Sequence, residues 1–378
     1  MIYVNSMNIR VGSKEIFIDK VSLETLLSKR LSKPTKIIGY EKLGEGFHAV
    51  AYRIRLNIDG VERSLVLRIM RGDTGWGHDY VSDRAASLLL QHNLYKSSPL
   101  PSQISSIDVL CLLPDGSVES IGDAVEFIHV MDEVTEEYGR PYVYDLFDIA
   151  SRNAITDRDI RRCRILASHL SILHRVKIEN RNLYLRHIRD LVGHGEMFMG
   201  VVDSYPDLAK LGWIDEDRLI KLEKKMIEWR YKLRRYTHRA SRIHGDFHPF
   251  GNIRFRSDDQ PVILEYSREE YGEPADDISA LTINYLFISI WKHGSYTQPF
   301  RILFEELFEA YIRETGDTEI LRVIQPFYCF RGLVVVHPLY YPEMEDWKRK
   351  AILNFIENTL SIEEFNPREV DEYLRDKG

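Results

Sequence analysis

The sequence predicts an α+β fold, with strands gathered in the first part of the chain and helices in the second. Three observations carry that expectation. Up to about residue 131 the apolar residues fall in short β-branched runs divided by Gly and Asp turns. Beyond residue 142 they recur at three- and four-residue intervals, the period of a helix. Strand-like runs return in the second part only at Ile253–Phe255 and Val262–Tyr266. Strands followed by helices, rather than alternating with them, mark an α+β arrangement.

Residues 1–36 read as an N-terminal extension, with a strand over Ile9–Ile18 and a small helix over Leu23–Leu31 that ends near Pro34. A β-rich part over 37–131 follows. Its strands are Ile37–Leu43, Ala49–Ile58 and Ser64–Met70, separated by Gly44-Glu45-Gly46 and Asp59-Gly60. Residues 79–94 read as a helix, and Ile107–Leu113 pairs with Ser117–Val130 across Pro114-Asp115-Gly116. The joint falls near residue 132, and 132–378 read as a helical part. There Ile160–Val176 sets Ile165, Leu166, Leu170 and Leu173 at helical spacing. Further helices are expected over 215–239, 279–292, 301–315 and 320–337.

With 378 residues, 44% hydrophobic and 29% charged, the chain is an ordinary globular composition large enough for two lobes. A net charge of −7 counts against a nucleic-acid partner, which would demand a surplus of Lys and Arg. Cys111, Cys163 and Cys329 lie far apart and form no CxxC pair, so neither a zinc ribbon nor a disulfide framework is expected. The N-terminus lacks a basic start followed by an apolar stretch, and Leu333–Val336 is far shorter than a bilayer span. A cytoplasmic address without a membrane partner is the expectation.

The chemistry is concentrated between residues 243 and 278. His244-Gly245-Asp246-Phe247-His248-Pro249-Phe250-Gly251-Asn252-Ile253 is followed by Val262-Ile263-Leu264-Glu265-Tyr266-Ser267 and then by Gly272-Glu273-Pro274-Ala275-Asp276-Asp277-Ile278. His244 and His248 are four apart, but Pro249 keeps them from sharing a helical face as a zinc pair would. The order and spacing of the three segments resemble the aminoglycoside-phosphotransferase and choline-kinase-like family, over roughly residues 37–345. The resemblance implies a bilobal protein-kinase-like fold, ATP and Mg²⁺ as cofactors, and a small-molecule hydroxyl (of an amino sugar, sugar or amino alcohol) as phosphoryl acceptor.

By that match Asp246 is the catalytic carboxylate that orients the acceptor hydroxyl and takes its proton, and His244 braces the loop. Asn252 and Glu265 match the two magnesium ligands, both hard oxygen donors. Asp277 matches a residue that hydrogen-bonds the loop backbone. On the nucleotide side, Gly44 and Gly46 let backbone approach phosphates, and Arg68 stands where the family carries a phosphate-binding lysine. The usual helix glutamate is absent from residues 71–96, leaving Asp83 either as its substitute or as a surface aspartate. Backbone groups of residues 132–134, from Asp132 to Val134, match the adenine-binding hinge. Glu269, Glu270, Glu273 and Asp276 are expected to form a solvated rim. The aromatic stretches 327–331 and 337–342 are expected to be core.

Three departures stand out: Glu265 in place of an aspartate, six residues from Asp246 to Asn252 where five are usual, and the missing helix glutamate. Each leaves a chemically similar group at the site, which favours an enzyme. The alternative is a catalytically weak or inactive nucleotide-binding pseudokinase with a regulatory role.

Overall fold

The computed structural model describes residues 6–74, 77–97, 105–129, 131, 133–265 and 268–377. The chain divides into two compact units, Met1–Met131 and Asp132–Gly378.

The first unit is built on an antiparallel sheet of three strands in the order β3-β4-β5: β3 (Thr35–Glu45), β4 (Ala49–Ile58) and β5 (Val61–Met70). On β4 the buried residues are Val50, Tyr52, Ile54, Leu56 and Ile58, every second position, so one face of the sheet is apolar throughout. That face is covered by what precedes it. The strands β1 (Ser6–Val11) and β2 (Lys14–Asp19) and the helix α1 (Lys20–Leu31) bury Met7, Ile9, Ile18, Leu23 and Leu27 in the same cluster. The single strand expected over Ile9–Ile18 is therefore a hairpin. Gly12 takes φ +60°, a turn conformation that glycine adopts without a Cβ penalty, and Val11 pairs with Lys14. Asp19 caps α1 by accepting from the Val21 and Ser22 amides.

α2 (Val81–Ser97) follows β5, and the strands β6 (Leu110–Leu112) and β7 (Val118–Ser120) close the unit. They are shorter than the expected Ile107–Leu113 and Ser117–Val130. The Asp108 carboxylate accepts from Gly122 N, Ser120 Oγ and the Arg30 guanidinium, so it competes for the backbone donor that a longer ladder would use.

The second unit is helical. α3 (Val143–Arg152), α4 (Asp157–His174), α5 (Arg181–Gly193), α6 (Phe198–Asp203) and α7 (Glu216–Leu233) lead to two small ladders, and α8 (Ala275–His293), α9 (Gln298–Thr315), α10 (Gln325–Val335), α11 (Asp346–Leu360) and α12 (Val370–Tyr373) follow. The charged helix expected over 215–239 ends at Leu233, and the one expected over 320–337 is a 3-10 turn (Thr318–Arg322) followed by α10. α8 is buried on all sides from Ala275 to Ile290 and packs against α3, α9 and α10, which makes it the central helix of the unit. In α10, Phe327, Tyr328, Cys329 and Phe330 are all fully buried, as the core reading of that stretch expects.

The ladders frame one loop. β8 (Ser241–Arg242) pairs with β11 (Tyr271–Gly272), and β9 (Ile253–Phe255) pairs with β10 (Pro261–Ile263). Residues 244–252 run from the end of β8 to the start of β9. β10 delivers the chain to Glu265, and β11 delivers it to the acidic start of α8.

Candidate active site

The loop 244–252 is fixed by its backbone. Asp277, fully buried in the first turn of α8, accepts from His244 N and Gly245 N, each at 2.8 Å, and from His174 Nε2 at 3.1 Å. Burial alone would push this carboxyl up; His174, His244 and the amide donors outweigh it and hold the group below the usual carboxylate range. Gly245 has φ +83°, and a Cβ there would come within 3.2 Å of the Arg268 side chain, so the position requires glycine.

His244 is buried. Its Nδ1 accepts from Asp246 N at 3.1 Å and its Nε2 donates to Leu264 O at 2.7 Å, which sets the tautomer and ties the loop to the end of β10. The His248 Nδ1 accepts from Phe250 N, and its Nε2 lies 3.5 Å from Asp246 Oδ2. The two histidines are thus engaged separately. Among the described residues, no group of three or more His, Cys, Asp and Glu is placed to hold a metal ion by itself.

Asn252 donates its side-chain amide to Asp246 O at 2.8 Å, closing the six-residue span. That leaves its side-chain carbonyl as an oxygen donor. Within that span the chain turns at Phe250-Gly251; Gly251 has open space around it and no positive φ, so the turn does not depend on glycine there. Asn252 O accepts from Leu264 N at 2.9 Å, which brings the residue preceding Glu265 alongside Asn252. Glu265 is exposed, with φ +58°. A left-handed glutamate costs roughly 1 kcal/mol or more, and such strain concentrates at functional positions.

Asp246 is held by two arginines. Its Oδ1 accepts from Arg268 Nη1 at 2.8 Å and from Arg331 Nη1 at 2.5 Å. Burial would raise the Asp246 pKa, but Arg331 and Arg268 overcome that and depress it strongly, so the carboxylate is ionised at neutral pH. Arg331, on α10 and 6% exposed, also donates to Gly245 O at 2.8 Å and to Asp276 Oδ1 at 2.6 Å. Neither arginine belongs to the motif that the sequence shows. The available signal was a cation inside the apolar run of α10: Lys and Arg are almost never buried unless paired.

The expected solvated rim is corrected by these pairings. Glu273 and Asp276 are fully buried, Glu273 against Arg239 and the Tyr184 hydroxyl, Asp276 against Arg331. Glu269 is largely buried against Arg186 and His187, and Glu270 alone of the four is exposed. Cations from distant helices, which local sequence does not reveal, draw these acids inward.

In the first unit, Gly46 N donates to Ala49 O at 2.8 Å, and Arg71 braces the same turn through Glu45 and Asp73. Gly44 belongs to the end of β3, and neither glycine has a positive φ. Arg68 and Asp83, left open as a pair, are engaged separately. Arg68 Nη1 donates to Gln91 Oε1 at 2.7 Å, whereas Asp83 accepts from Tyr80 N at 2.8 Å. Asp83 is the third residue of α2, where an acidic side chain reaching back to the capping amide satisfies one of the helix's open donors. Of the expected hinge, Asp132 lies outside the described residues, and Val134 is in non-regular, exposed chain.

No family model matches the sequence, and no curated protein matches it. Among solved structures, an ethanolamine kinase of Plasmodium vivax is similar with a TM-score of 0.35 and 13% identity, covering 89% of this chain and 80% of that one. A type I macrolide 2'-phosphotransferase gives 0.30 and 13%, covering 92% and 97%. A glucosamine kinase in complex with glucosamine, ADP and inorganic phosphate gives 0.33 and 11%, covering 97% and 88%.

Proposed function

We propose that the protein is an ATP-dependent phosphotransferase that moves the γ-phosphate in line onto a hydroxyl of a small molecule. The observation that carries the reading is the tie between its three oxygen-bearing residues: Asn252 grips the Asp246 carbonyl, and its own carbonyl receives the amide of Leu264, next to Glu265. A carboxylate and an amide oxygen on one loop, with a second carboxylate after the neighbouring ladder, are what phosphoryl transfer asks of a protein, since positioning and charge neutralisation supply most of the rate.

In this reading Asp246 orients the acceptor hydroxyl and receives its proton as the new bond forms. Its Oδ1 is committed to the arginines, so Oδ2 is the oxygen for that task. Asn252 Oδ1 and the Glu265 carboxylate would hold magnesium. Bound there, the ion would supply charge neutralisation on the transferring phosphates, a role for which one or two protein oxygens are enough. Gly44, Gly46 and Arg68 would serve the nucleotide phosphates, and backbone near Asp132–Val134 the base. Among the described residues, no helix is long and apolar enough to cross a membrane.

Glu265→Gln tests the reading. It removes the anchoring charge while preserving size, so Mg-ATP affinity should fall by about 10–100-fold together with turnover. Calorimetric titration of ATP with and without magnesium measures this. If both proteins bind ATP equally and neither responds to the metal, Glu265 holds no ion and the phosphotransferase reading loses its metal centre.

A further inference from the structure

We infer that the acceptor alcohol carries an acidic group, a carboxylate or phosphate, which Arg268 receives beside Asp246. The inference rests on the phosphotransferase reading and names its substrate class.

Arg268 uses only part of its donor set on the loop. Nη1 reaches Asp246 Oδ1 at 2.8 Å and Gly245 O at 3.1 Å. Its Nε is buried and has no hydrogen-bond acceptor among the described residues; Glu196 Oε2 lies 3.9 Å away, at ion-pair rather than hydrogen-bond distance. A buried N–H left open costs about 1–3 kcal/mol, so the position favours an incoming acceptor. A guanidinium presents its donors as a planar fork, which matches the paired oxygens of a carboxylate or phosphate.

The surrounding charges point the same way. Arg268 and Arg331 both lie against the Phe330 ring, at 5.4 and 4.8 Å from its centroid, so two cations share one apolar neighbour. Burial and the nearby Arg331 lower the Arg268 pKa, the direction expected where another anion would be welcome. Of the nearby acids, Glu273 is taken by Arg239, Asp276 by Arg331, and Glu269 by Arg186 and His187, while Glu196 faces Arg268 itself. A cationic amino alcohol arriving at Asp246 would meet two arginines. A hydroxy acid would place its anion on Arg268 and its hydroxyl at Asp246 Oδ2.

Glycerate, glycerol 3-phosphate, glycerol and ethanolamine form a matched set of small alcohols that differ in charge. Calorimetric titration of each into the full-length protein should show one or both acids binding at least about tenfold tighter than glycerol and ethanolamine. The two acids separate carboxylate from phosphate. Arg268→Gln should erase the preference, and Arg268→Lys, which keeps a cation beside Asp246 but deletes the Nε donor, should reduce it and guards against a Gln variant that does not fold. Ethanolamine binding tightest, acids binding no better than glycerol, or a preference that survives both substitutions would overturn the inference. A parallel Mg-ATP titration of the same protein keeps the two failures apart. Mg-ATP binding without acid preference refutes only the substrate class; absent Mg-ATP binding refutes the phosphotransferase reading whatever the alcohols do.

Discussion

Asp246→Asn is expected to lower acceptor-dependent ATP turnover by about 10²–10⁴-fold, the range set by losing a positioned general base. Asparagine keeps an oxygen for the Arg268 and Arg331 donors, so the loop retains its shape, but the amide cannot take a proton. Mg-ATP affinity should change little, because the assigned nucleotide and metal contacts lie on other residues. The result is therefore a fall in kcat with a nearly constant KM for ATP. Steady-state kinetics with ATP varied at fixed acceptor reads both quantities. Turnover close to that of the native protein would show that Asp246 is a structural counter-ion to the two arginines and nothing more. A parallel loss of ATP affinity would place it on the nucleotide rather than on the acceptor.

What could be read in the sequence was local. The strands Ala49–Ile58 and Ile253–Phe255 announce themselves through composition and alternation, and α8 through a run of apolar residues too long for a strand. The loop residues His244, Gly245, Asp246 and Asn252 stand in one short segment, picked out by its resemblance to a known family, and the bonds among them are local. Partners beyond the local segment are not legible there. Asp83 answers the helix start three residues away. Asp276 and Glu273 appear in sequence as part of an exposed acidic run; their partners, Arg331 and Arg239, are 55 and 34 residues distant. Long-range ion pairs leave no period and no spacing. A cation inside an apolar run, as at Arg331, marks one end of such a pair; its partner is disclosed only by burial, which depends on the whole unit.

Arg331 carries the largest consequence of such a pair. Arg331→Met would remove the donors to Asp246 Oδ1, Gly245 O and Asp276 Oδ1 together. Asp276 is fully buried, its Oδ2 already lacks a hydrogen-bond donor among the described residues, and His187 Nε2 stands 3.8 Å away. Stripping the arginine from such a carboxylate should cost about 3–5 kcal/mol of stability, visible as a lowered thermal midpoint. The effect at Asp246 is separable by pH. Its folded-state pKa lies below the unfolded value, so the ionised carboxylate contributes stability above the unfolded pKa, and that contribution is lost as pH falls through the folded one. Removing one of its two cations raises the folded value. The acid limb of the activity profile should then move to higher pH, while kcat falls by about 10²-fold from the loosened carboxylate. Arg331→Lys retains the charge but not the three-way fork, so it should restore most of the stability and the acid limb but only part of kcat. A purely architectural arginine would lower the thermal midpoint and leave the acid limb of the surviving folded protein where it was; that outcome would remove Arg331 from the site.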